Sequence, residues 1–417
     1  MMELLNQIGP IHIIIGAICA AVVFYRPYLG LLVMVFMIPL EASVAFSSGF
    51  TAIKAVGIIT FISFGFHILA RKERVMLDFR VLLPLIVFLI WAAVRFEGNY
   101  STLVKLFQLV LFFAVTISLC SNNSRRIYLI IWAYIIGCLA GICLSALNYL
   151  GDSYIGARAS LEGQDANTFA AIIGIGMLLV ILIIRPNFKK YKVLIPYGIG
   201  ILFIYGLVIG ASRTAVVAMS MALFVYLLLN RNRLKNLANI LIIFLLLSTV
   251  LIVGLQKGLI RQWTLNRIES TTSYEETTLS GRFWIWSVGC KMINDNFIIG
   301  VGLDNFNATF NKYTGEGWGP HNTYISIFAE TGVVGFLILM WFIGGLTYVV
   351  IRTDSENKVS VLCILTFVAI VSLTLTNQYS KFFWVSIALA YSLLNYTQLD
   401  LKAWRGCGAL AVDNAKF

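Results

Sequence analysis

Residues 237–255, with the sequence LANILIIFLLLSTVLIVGL, decide the fold class of this protein. The stretch is apolar on every side, and its length suits a helix that crosses the hydrocarbon layer of a membrane. A membrane β-barrel would instead show strands that alternate apolar and polar residues. Comparable runs recur along the chain, and they predict an all-α protein, a polytopic bundle of transmembrane helices.

The overall composition agrees with a membrane protein. Of the 417 residues, 59% are hydrophobic and 12% are charged, and the mean hydropathy is +0.88. A soluble domain has about 25% charged residues, so we exclude a soluble enzyme. The seven cysteines form no CxxC pair, and we expect neither a disulfide framework nor a zinc site. The first apolar stretch has no preceding Lys or Arg, which favours a retained span over a cleaved signal peptide.

The apolar runs predict 12 or 13 membrane spans. Both counts fit, because only Arg26-Pro27 separates the first two runs. Residues 1–417 are predicted to be one integral membrane domain, since no fixed repeat or low-complexity linker divides them. The predicted spans are residues 10–25, 27–45, 50–70, 81–96, 102–120, 127–150, 168–184, 193–210, 214–229, 237–255, 321–350, 359–375 and 381–397.

The net charge of +12 is explained by membrane topology, without nucleic acid as a partner. About half of the 31 basic residues lie in every second connector, which is the pattern of cytoplasmic loops. The connectors between them must then face the periplasm or exterior, and the tail 398–417 is predicted to be cytoplasmic. The basic residues concerned are Arg71, Lys72, Arg74, Arg80, Arg125, Arg126, Arg185, Lys189, Lys190, Lys192, Arg231, Arg233, Lys235, Arg352 and Lys358.

The connector 256–320 is the one long loop predicted on the outer side, before the C-terminal spans 321–397. A loop of this length is more often functional than a mere tether. Within it, residues 280–294 (SGRFWIWSVGCKMIN) predict a helix that is capped by Ser280. Its tryptophan and phenylalanine side chains suit the membrane interface, so the helix should lie along the interface or fold back on the bundle.

His321 is the candidate catalytic residue. It stands in Gly-Pro-His-Asn-Thr, where the long loop re-enters the membrane. The pKa of a histidine lies close to neutrality, which suits it to accept a proton. The alternative is that Pro320, His321 and Asn322 only begin and cap a helix. Glu330 lies within the following span, and we expect it to hold His321 or an arginine, since a carboxylate at that depth needs a partner.

Three arginines share the predicted outer side with His321. Arg213 lies in a tight connector, Arg282 begins the predicted helix of the long loop, and Arg158 lies in the connector 151–167. Guanidinium groups match phosphate oxygens with bidentate geometry, and a helix N-terminus adds free N–H donors. The three could therefore clamp a diphosphate. Alternatively, each could extend to the interface or pair with a loop carboxylate such as Glu162.

Residues 280–340 resemble the signature of the O-antigen ligase and polymerase family. The segment SGRFWIWSVGCKMINDNFIIGVGLDNF is followed by PHNTYISIFAETGVVGFLILM, which supplies the Gly-Arg opening, the Trp-bearing helix, the Gly-x-Gly turn, His-Asn and Glu-x-Gly-x-x-Gly. Ser212-Arg213-Thr214, and the segment from Arg158 to Asn167-Thr-Phe-Ala, also resemble shorter motifs of the family. The N-terminal 150 residues match only as generic spans.

The resemblance implies an enzyme of the bacterial inner membrane, with a fold similar to the membrane-embedded, GT-C-like glycosyltransferases. It implies a glycan donor on undecaprenyl diphosphate and a metal-independent reaction without a cofactor. His321 would deprotonate an acceptor hydroxyl that attacks the anomeric carbon with inversion. Arg213, Arg282 and Arg158 would stabilise the leaving diphosphate, with Glu330 and Asn322 in support.

Two alternatives remain open at this point. Ligases, which attach a glycan to an acceptor such as lipid A core, and polymerases, which extend the lipid-linked chain, share the same chemistry; we favour the ligase type. A transporter is a more distant alternative, because transporters place polar sites at the membrane midplane. The mid-span charges Glu41 and Lys54 are predicted to pair with each other instead of forming such a site.

Overall fold

The structure is a computed structural model, in which an all-α bundle confirms the predicted fold class. It describes residues 10–47, 50–96, 100–121, 123–151, 158–161, 163–187, 194–230, 253, 256–258, 260 and 279–395. The run 237–255, apart from one isolated residue, and the tail 398–417 lie outside the described residues. So does most of the loop before residue 279.

Fourteen helices lie in the described part of the chain, and a short antiparallel strand pair precedes the third of them. The strands are β1 (Ala45–Ser47) and β2 (Phe50–Thr51). The helices are α1 (Pro10–Tyr25), α2 (Pro27–Met37), α3 (Ala52–Leu69), α4 (Phe79–Val94), α5 (Tyr100–Cys120), α6 (Ser124–Gly151), α7 (Ala166–Leu179), α8 (Leu194–Ile209), α9 (Arg213–Leu229), α10 (Leu279–Asp295), α11 (Phe306–Thr314), α12 (Thr323–Arg352), α13 (Lys358–Val371) and α14 (Lys381–Leu393).

Five of the described helices are long and apolar enough to cross a membrane, or six if a bent pair counts as one span. The bent pair is formed by α1 and α2, which meet at an angle of 115°. Pro27 occupies the first turn of α2, where the missing N–H is tolerated and the chain can turn. Five further apolar helices have 10–17 residues, and the total of 12 or 13 spans stays a prediction.

The helices pack in pairs that are distant in sequence. Helix α9 lies along α13, α4 along α12, α2 along α6, and α5 along α14. Their contacts form one apolar core that extends through the bundle. A second, smaller core lies between α10, α11 and the first part of α12, around Ile285, Met292, Phe306 and Phe310. The long loop therefore ends in a packed unit that rests on the bundle.

Several helices begin at the same end of the bundle, which we call the site end. Residues at the starts of α3, α5, α7 and α14 line one cavity. The connector 372–380 between α13 and α14 contacts the starts of both α9 and α12. Helix N-termini carry a partial positive charge, so the site end favours anionic groups.

Glu41 has a different partner from the one predicted. Its carboxylate pairs with Lys381, the first residue of α14, because this residue lies against the short 3-10 segment that follows α2. The predicted pair with Lys54 was wrong, although Lys54 lines the same cavity as Glu41.

Candidate active site

Helix α12 is broken at Gly332, and a turn at residues 298–302 (the glycine turn) docks on the break. Gly332 has φ 67° and ψ −172°, which interrupts the helical hydrogen bonding. A Cβ atom at Gly332 would lie 2.2 Å from the carbonyl oxygen of Ile298, and one at Gly300 would lie 2.5 Å from the carbonyl carbon of Glu330. Only glycine therefore permits this close approach of the two backbones.

Backbone hydrogen bonds close the break, so that the polar groups freed there are paired. Arg95, just after α4, also holds the turn: its Nε donates to Ile299 O at 3.2 Å, and its carbonyl accepts from the N–H of Leu303, the residue after the turn, at 3.1 Å. The bonds between the turn region and α12 are Val301 N to Ala329 O at 2.8 Å, Gly302 N to Glu330 O at 2.9 Å, and Val333 N to Phe297 O at 2.8 Å.

The Glu330 carboxylate lies at the centre of this arrangement and is only 4% exposed. It accepts hydrogen bonds from the Ser326 hydroxyl, the Tyr379 hydroxyl and the Asp304 backbone N–H, each at 3.1 Å. Burial and the neighbouring carboxylate raise the pKa of Tyr379 well above its usual value, so its hydroxyl stays protonated and can donate. Among the described residues, these neutral donors take the place of the His321 or arginine partner that the sequence predicts for Glu330.

His321 lies directly before α12, in a backbone conformation that few non-glycine residues adopt. Its φ is 43°, and its side chain is half-buried. The next residue, Asn322, caps α12 by accepting from the N–H groups of Tyr324 at 2.9 Å and Ile325 at 3.1 Å. The cap and the strained turn together fix the direction in which the His321 side chain leaves the backbone.

Arg158 and Arg213 are brought together by the turn 210–212. The Arg158 guanidinium donates to Gly210 O at 3.0 and 3.1 Å, and to Asn167 Oδ1 at 2.8 Å. Ser212 caps α9 and also donates to Asn167 Oδ1, at 3.1 Å. The bonds from Arg158 satisfy the Gly210 carbonyl, just after α8, which has no partner within a helix. The Ser212 cap then places Arg213 as the first residue of α9.

The connector 372–380 links the Arg213 turn to the His321 turn. Thr374 donates to the hydroxyl of Thr214 at 3.0 Å, and Thr214 follows Arg213 in α9. Thr323 donates from its N–H to Ser372 O at 2.9 Å and from its hydroxyl to Leu375 O at 2.7 Å. The same short connector therefore holds the first turns of α9 and α12, which carry the two candidate groups.

Arg282 is placed by the packing of α10 against α12. A Cβ atom at Gly289 would lie 2.8 Å from a methyl group of Ile325, and the glycine turn that follows α10 reaches Glu330. Helix α10 and the start of α12 therefore run in the same direction. Arg282 precedes Gly289 by about 10 Å along the helix, so it lies toward the site end. It is 8% exposed.

Helix α10 spans Leu279–Asp295 and so contains the helix predicted at 280–294, while the predicted cap by Ser280 stays a prediction. The helix rests on α11 and α12 through Ile285 and Met292, so it folds back on the bundle, which was one of the two expected arrangements.

Sequence reasoning missed the residues that hold the candidate groups in place. Asn167 bridges Arg158 and Ser212, and Tyr379 and Gln378 reach the Glu330 network through hydrogen bonds, Gln378 by way of Ser326. The polar run 374–381 between two apolar spans was a signal for the connector.

Across the described ranges, no three His, Cys, Asp or Glu side chains gather in a way that could hold a metal ion.

The chain is an integral membrane protein whose second half carries a set of basic groups at one end of the bundle. Residues 198–340 match a family model described as O-antigen ligase. This match confirms the predicted resemblance to the O-antigen ligase and polymerase family. It supports an O-antigen ligase or polymerase type of function in polysaccharide biosynthesis, carried out by a glycosyltransferase-like enzyme on lipid-linked glycans. No curated protein matches the chain.

Proposed function

We propose that the protein transfers a glycan from undecaprenyl diphosphate to a sugar hydroxyl of an acceptor, at the periplasmic face of the bacterial inner membrane. The family match at residues 198–340 supports the reaction class. The main structural support is the connector 372–380, which joins the turns that carry Arg213 and His321.

In this reaction, His321 accepts the proton of the acceptor hydroxyl. The hydroxyl oxygen forms a bond to the anomeric carbon of the donor, and the bond between that carbon and the diphosphate oxygen breaks. The configuration at the carbon inverts, and undecaprenyl diphosphate leaves with the electron pair. No metal is required, because fixed positive groups can stabilise the charge that develops on the leaving diphosphate.

Arg213 and Arg282 are the proposed diphosphate ligands. Each lies at the beginning of a helix, where the helix dipole adds to the charge of the guanidinium group. Arg158 uses several donors on Gly210 and Asn167, so we assign it mainly to holding the Arg213 turn while its charge adds to the field. Asn322 keeps His321 in position, and Glu330 joins α12 to the glycine turn.

The acceptor is proposed to be a glycan or lipid A core, as in ligase-type transfer in lipopolysaccharide or surface polysaccharide biosynthesis. The alternative is a polymerase that adds the donor glycan to another lipid-linked chain. A transporter is a more distant alternative, and the candidate residues at the starts of α9 and α12, away from the helix centres, count against it.

Release of undecaprenyl diphosphate tests the proposal. Purified wild-type protein, given the lipid-linked glycan and a panel of acceptors, is expected to release it, and His321→Ala is expected to lower the rate by at least about 100-fold. His67→Ala is the matched control, because His67 lies at the other end of α3 and its ring nitrogens bond to the backbone carbonyls of Ser63 and Tyr25. Equal rates for His321→Ala and wild type would contradict the catalytic assignment.

A further inference from the structure

Three lysines from different helices surround one cavity at the site end. Lys54 lies in the first turn of α3, Lys105 in the second turn of α5, and Lys381 is the first residue of α14. The cavity has a volume of about 330 Å³, and we call it the lysine cavity. Its other polar lining residues are Glu41, Thr51, Gln164, Thr168, Tyr379 and Ser380.

Among the described residues that line the lysine cavity, positive charges outnumber negative ones. The carboxylate of Glu41 pairs with Lys381. Lys105 interacts electrostatically with Lys54, Lys381, Glu41 and also Asp304, whose carboxylate accepts from the Thr102 hydroxyl at 2.6 Å. Among the described residues, the three ammonium groups therefore have two carboxylates near them, those of Glu41 and Asp304.

The positions of these lysines in their helices and in the membrane are unfavourable for a positive charge. Each lies near the N-terminus of a helix, where the helix dipole opposes a positive charge. Lys54 and Lys105 also lie within candidate membrane spans, where charges are costly and usually mark a functional site. A bound anion would offset both effects at once.

The same lysines line an apolar cleft that continues from the cavity between α3 and α5. The cleft has a volume of about 60 Å³, and Ile58 on its wall is 46% exposed, so the cleft is open to the outside of the bundle. Its other lining residues, apart from Gln108, are Met34, Ile53, Gly57, Phe61, Leu109 and Phe112. A polar cavity with several cations next to an apolar cleft suits an amphiphile that has an anionic headgroup.

We propose that the lysine cavity binds the phosphate or diphosphate headgroup of a membrane lipid, with the first carbons of its chain in the cleft between α3 and α5. Lysines bind phosphate as compact positive charges. The lipid is a substrate of the enzyme, either a lipid-borne acceptor or the glycan donor, since both classes carry phosphate. If it is the donor, the lysines hold the diphosphate that is otherwise assigned to Arg213 and Arg282. Its role in turnover depends on the proposed function, but its binding does not.

The cavity is next to the candidate active site. Tyr379 lines the lysine cavity and donates to Glu330, which fixes the glycine turn and α12. Its neighbour Gln378 donates to Ser326 of α12. A headgroup in the cavity would thus lie behind the connector 372–380 that holds Arg213 and His321.

A binding titration tests the proposal without requiring glycan transfer. Farnesyl diphosphate and inorganic diphosphate are titrated against purified full-length protein, and the farnesyl compound is expected to bind more tightly because its chain can enter the cleft. Replacing both Lys54 and Lys105 with glutamine should weaken farnesyl diphosphate binding by at least about tenfold. Replacing both with arginine should restore most of the affinity, which would exclude a folding defect as the cause.

Lys358→Gln is the matched control, because Lys358 begins α13 at the opposite end of the bundle and bonds to the carbonyl of Ile351. Its affinity for farnesyl diphosphate should equal that of wild type. The proposal is overturned if the Lys54 and Lys105 double glutamine variant binds as wild type does, or if inorganic diphosphate binds as tightly as the farnesyl compound.

Steady-state kinetics then identifies which substrate uses the cavity. A rise in KM for the donor alone assigns the cavity to the donor lipid, and a rise for the acceptor alone assigns it to the acceptor lipid. Unchanged KM values for both would overturn the substrate role. If wild type transfers no glycan to any acceptor, the proposed function fails, while the titration still decides whether the cavity binds a lipid phosphate.

Discussion

At the scale of single residues, His321 is held in a backbone conformation that costs about 1–3 kcal/mol for a non-glycine residue. The surrounding hydrogen bonds must supply that energy. Asn322 caps the helix, and Thr323 is bonded on both its N–H and hydroxyl to the connector 372–380. Interactions that fix the helix start therefore also fix the position of the proposed base.

Loss of the cap should affect both stability and turnover. Asn322→Ala is expected to lower the free energy of unfolding by about 1 kcal/mol and to lower kcat, because His321 is no longer fixed. Asn322→Asp, which can still cap, should recover most of kcat. Asp78→Ala removes a comparable cap from α4, where Asp78 Oδ1 accepts from Arg80 N at 2.8 Å, and it should change stability alone. Equal kcat losses in the Asn322→Ala and Asp78→Ala variants would contradict this role.

The Tyr379 hydroxyl should matter most to the Glu330 network. Tyr379→Phe removes one of three donors to a buried carboxylate, so thermal unfolding should show a loss of about 1–3 kcal/mol. The pKa of Tyr379 is raised in the folded protein, so its contribution is fully present below the unfolded pKa of about 10 and is lost as the pH rises through the folded value. The difference between wild type and Tyr379→Phe should therefore still be present at pH 9. A difference that is already lost at pH 9 would argue against this hydrogen bond.

At the scale of helices, α12 consists of two pieces joined at Gly332. The first piece carries Glu330 and follows His321, and the second crosses the bundle beside α4. The glycine turn takes up the backbone groups that the break exposes. The break lets the first piece contact α10 and α11 while the second remains in the main core.

Gly332→Ala should disrupt this junction. An alanine there would need a positive φ and would meet the carbonyl of Ile298, so the free energy of unfolding should fall by at least about 2 kcal/mol and activity should be lost. Gly344→Ala is the matched control on the same helix, because a Cβ atom there has open space. It should be neutral or stabilise by up to about 1 kcal/mol. Similar melting temperatures for the two variants would contradict the proposed junction.

At the scale of the whole molecule, the orientation in the membrane can be tested with cysteine labelling. Cys290 is exposed on α10, in the unit predicted to face outward. A membrane-impermeant maleimide added to spheroplasts should label wild type, and the signal should disappear in Cys290→Ser. In the Cys290→Ser background, Asp354→Cys, between α12 and α13, should react only after permeabilisation. Labelling of the Asp354 position in intact spheroplasts would reverse the proposed topology.

The fold class could be predicted from sequence because apolar runs of helical length allow few other structures in a membrane. Helix ends were also close, as with α5 and α9, because charged and turn residues flank them. The 115° bend between α1 and α2 was only suggested by Arg26-Pro27. The pairing of α9 with α13 was out of reach, since apolar helix faces of similar composition do not specify which helix they contact.

The candidate residues were found because few ionisable groups lie on the predicted outer side. Their partners were not found, since Glu41 and Glu330 each combine with groups more than 20 residues away in sequence. For both carboxylates, a charged residue close by in the sequence was predicted as the partner, and the structure shows a different partner in each case. The lysine cavity was missed for the same reason, because Lys54, Lys105 and Lys381 look like isolated charges until α3, α5 and α14 come together.

The connector 372–380 has a further consequence for biosynthesis. A ribosome makes the chain from residue 1 onward, so this connector emerges after α1 to α13 have been synthesised. Until it does, the bonds of Thr374 and Leu375 to the first turns of α9 and α12 cannot form, and Glu330 lacks the Tyr379 hydroxyl. We therefore expect a nascent chain that ends before this connector to be inactive, with activity beginning only when the last part of the bundle has closed.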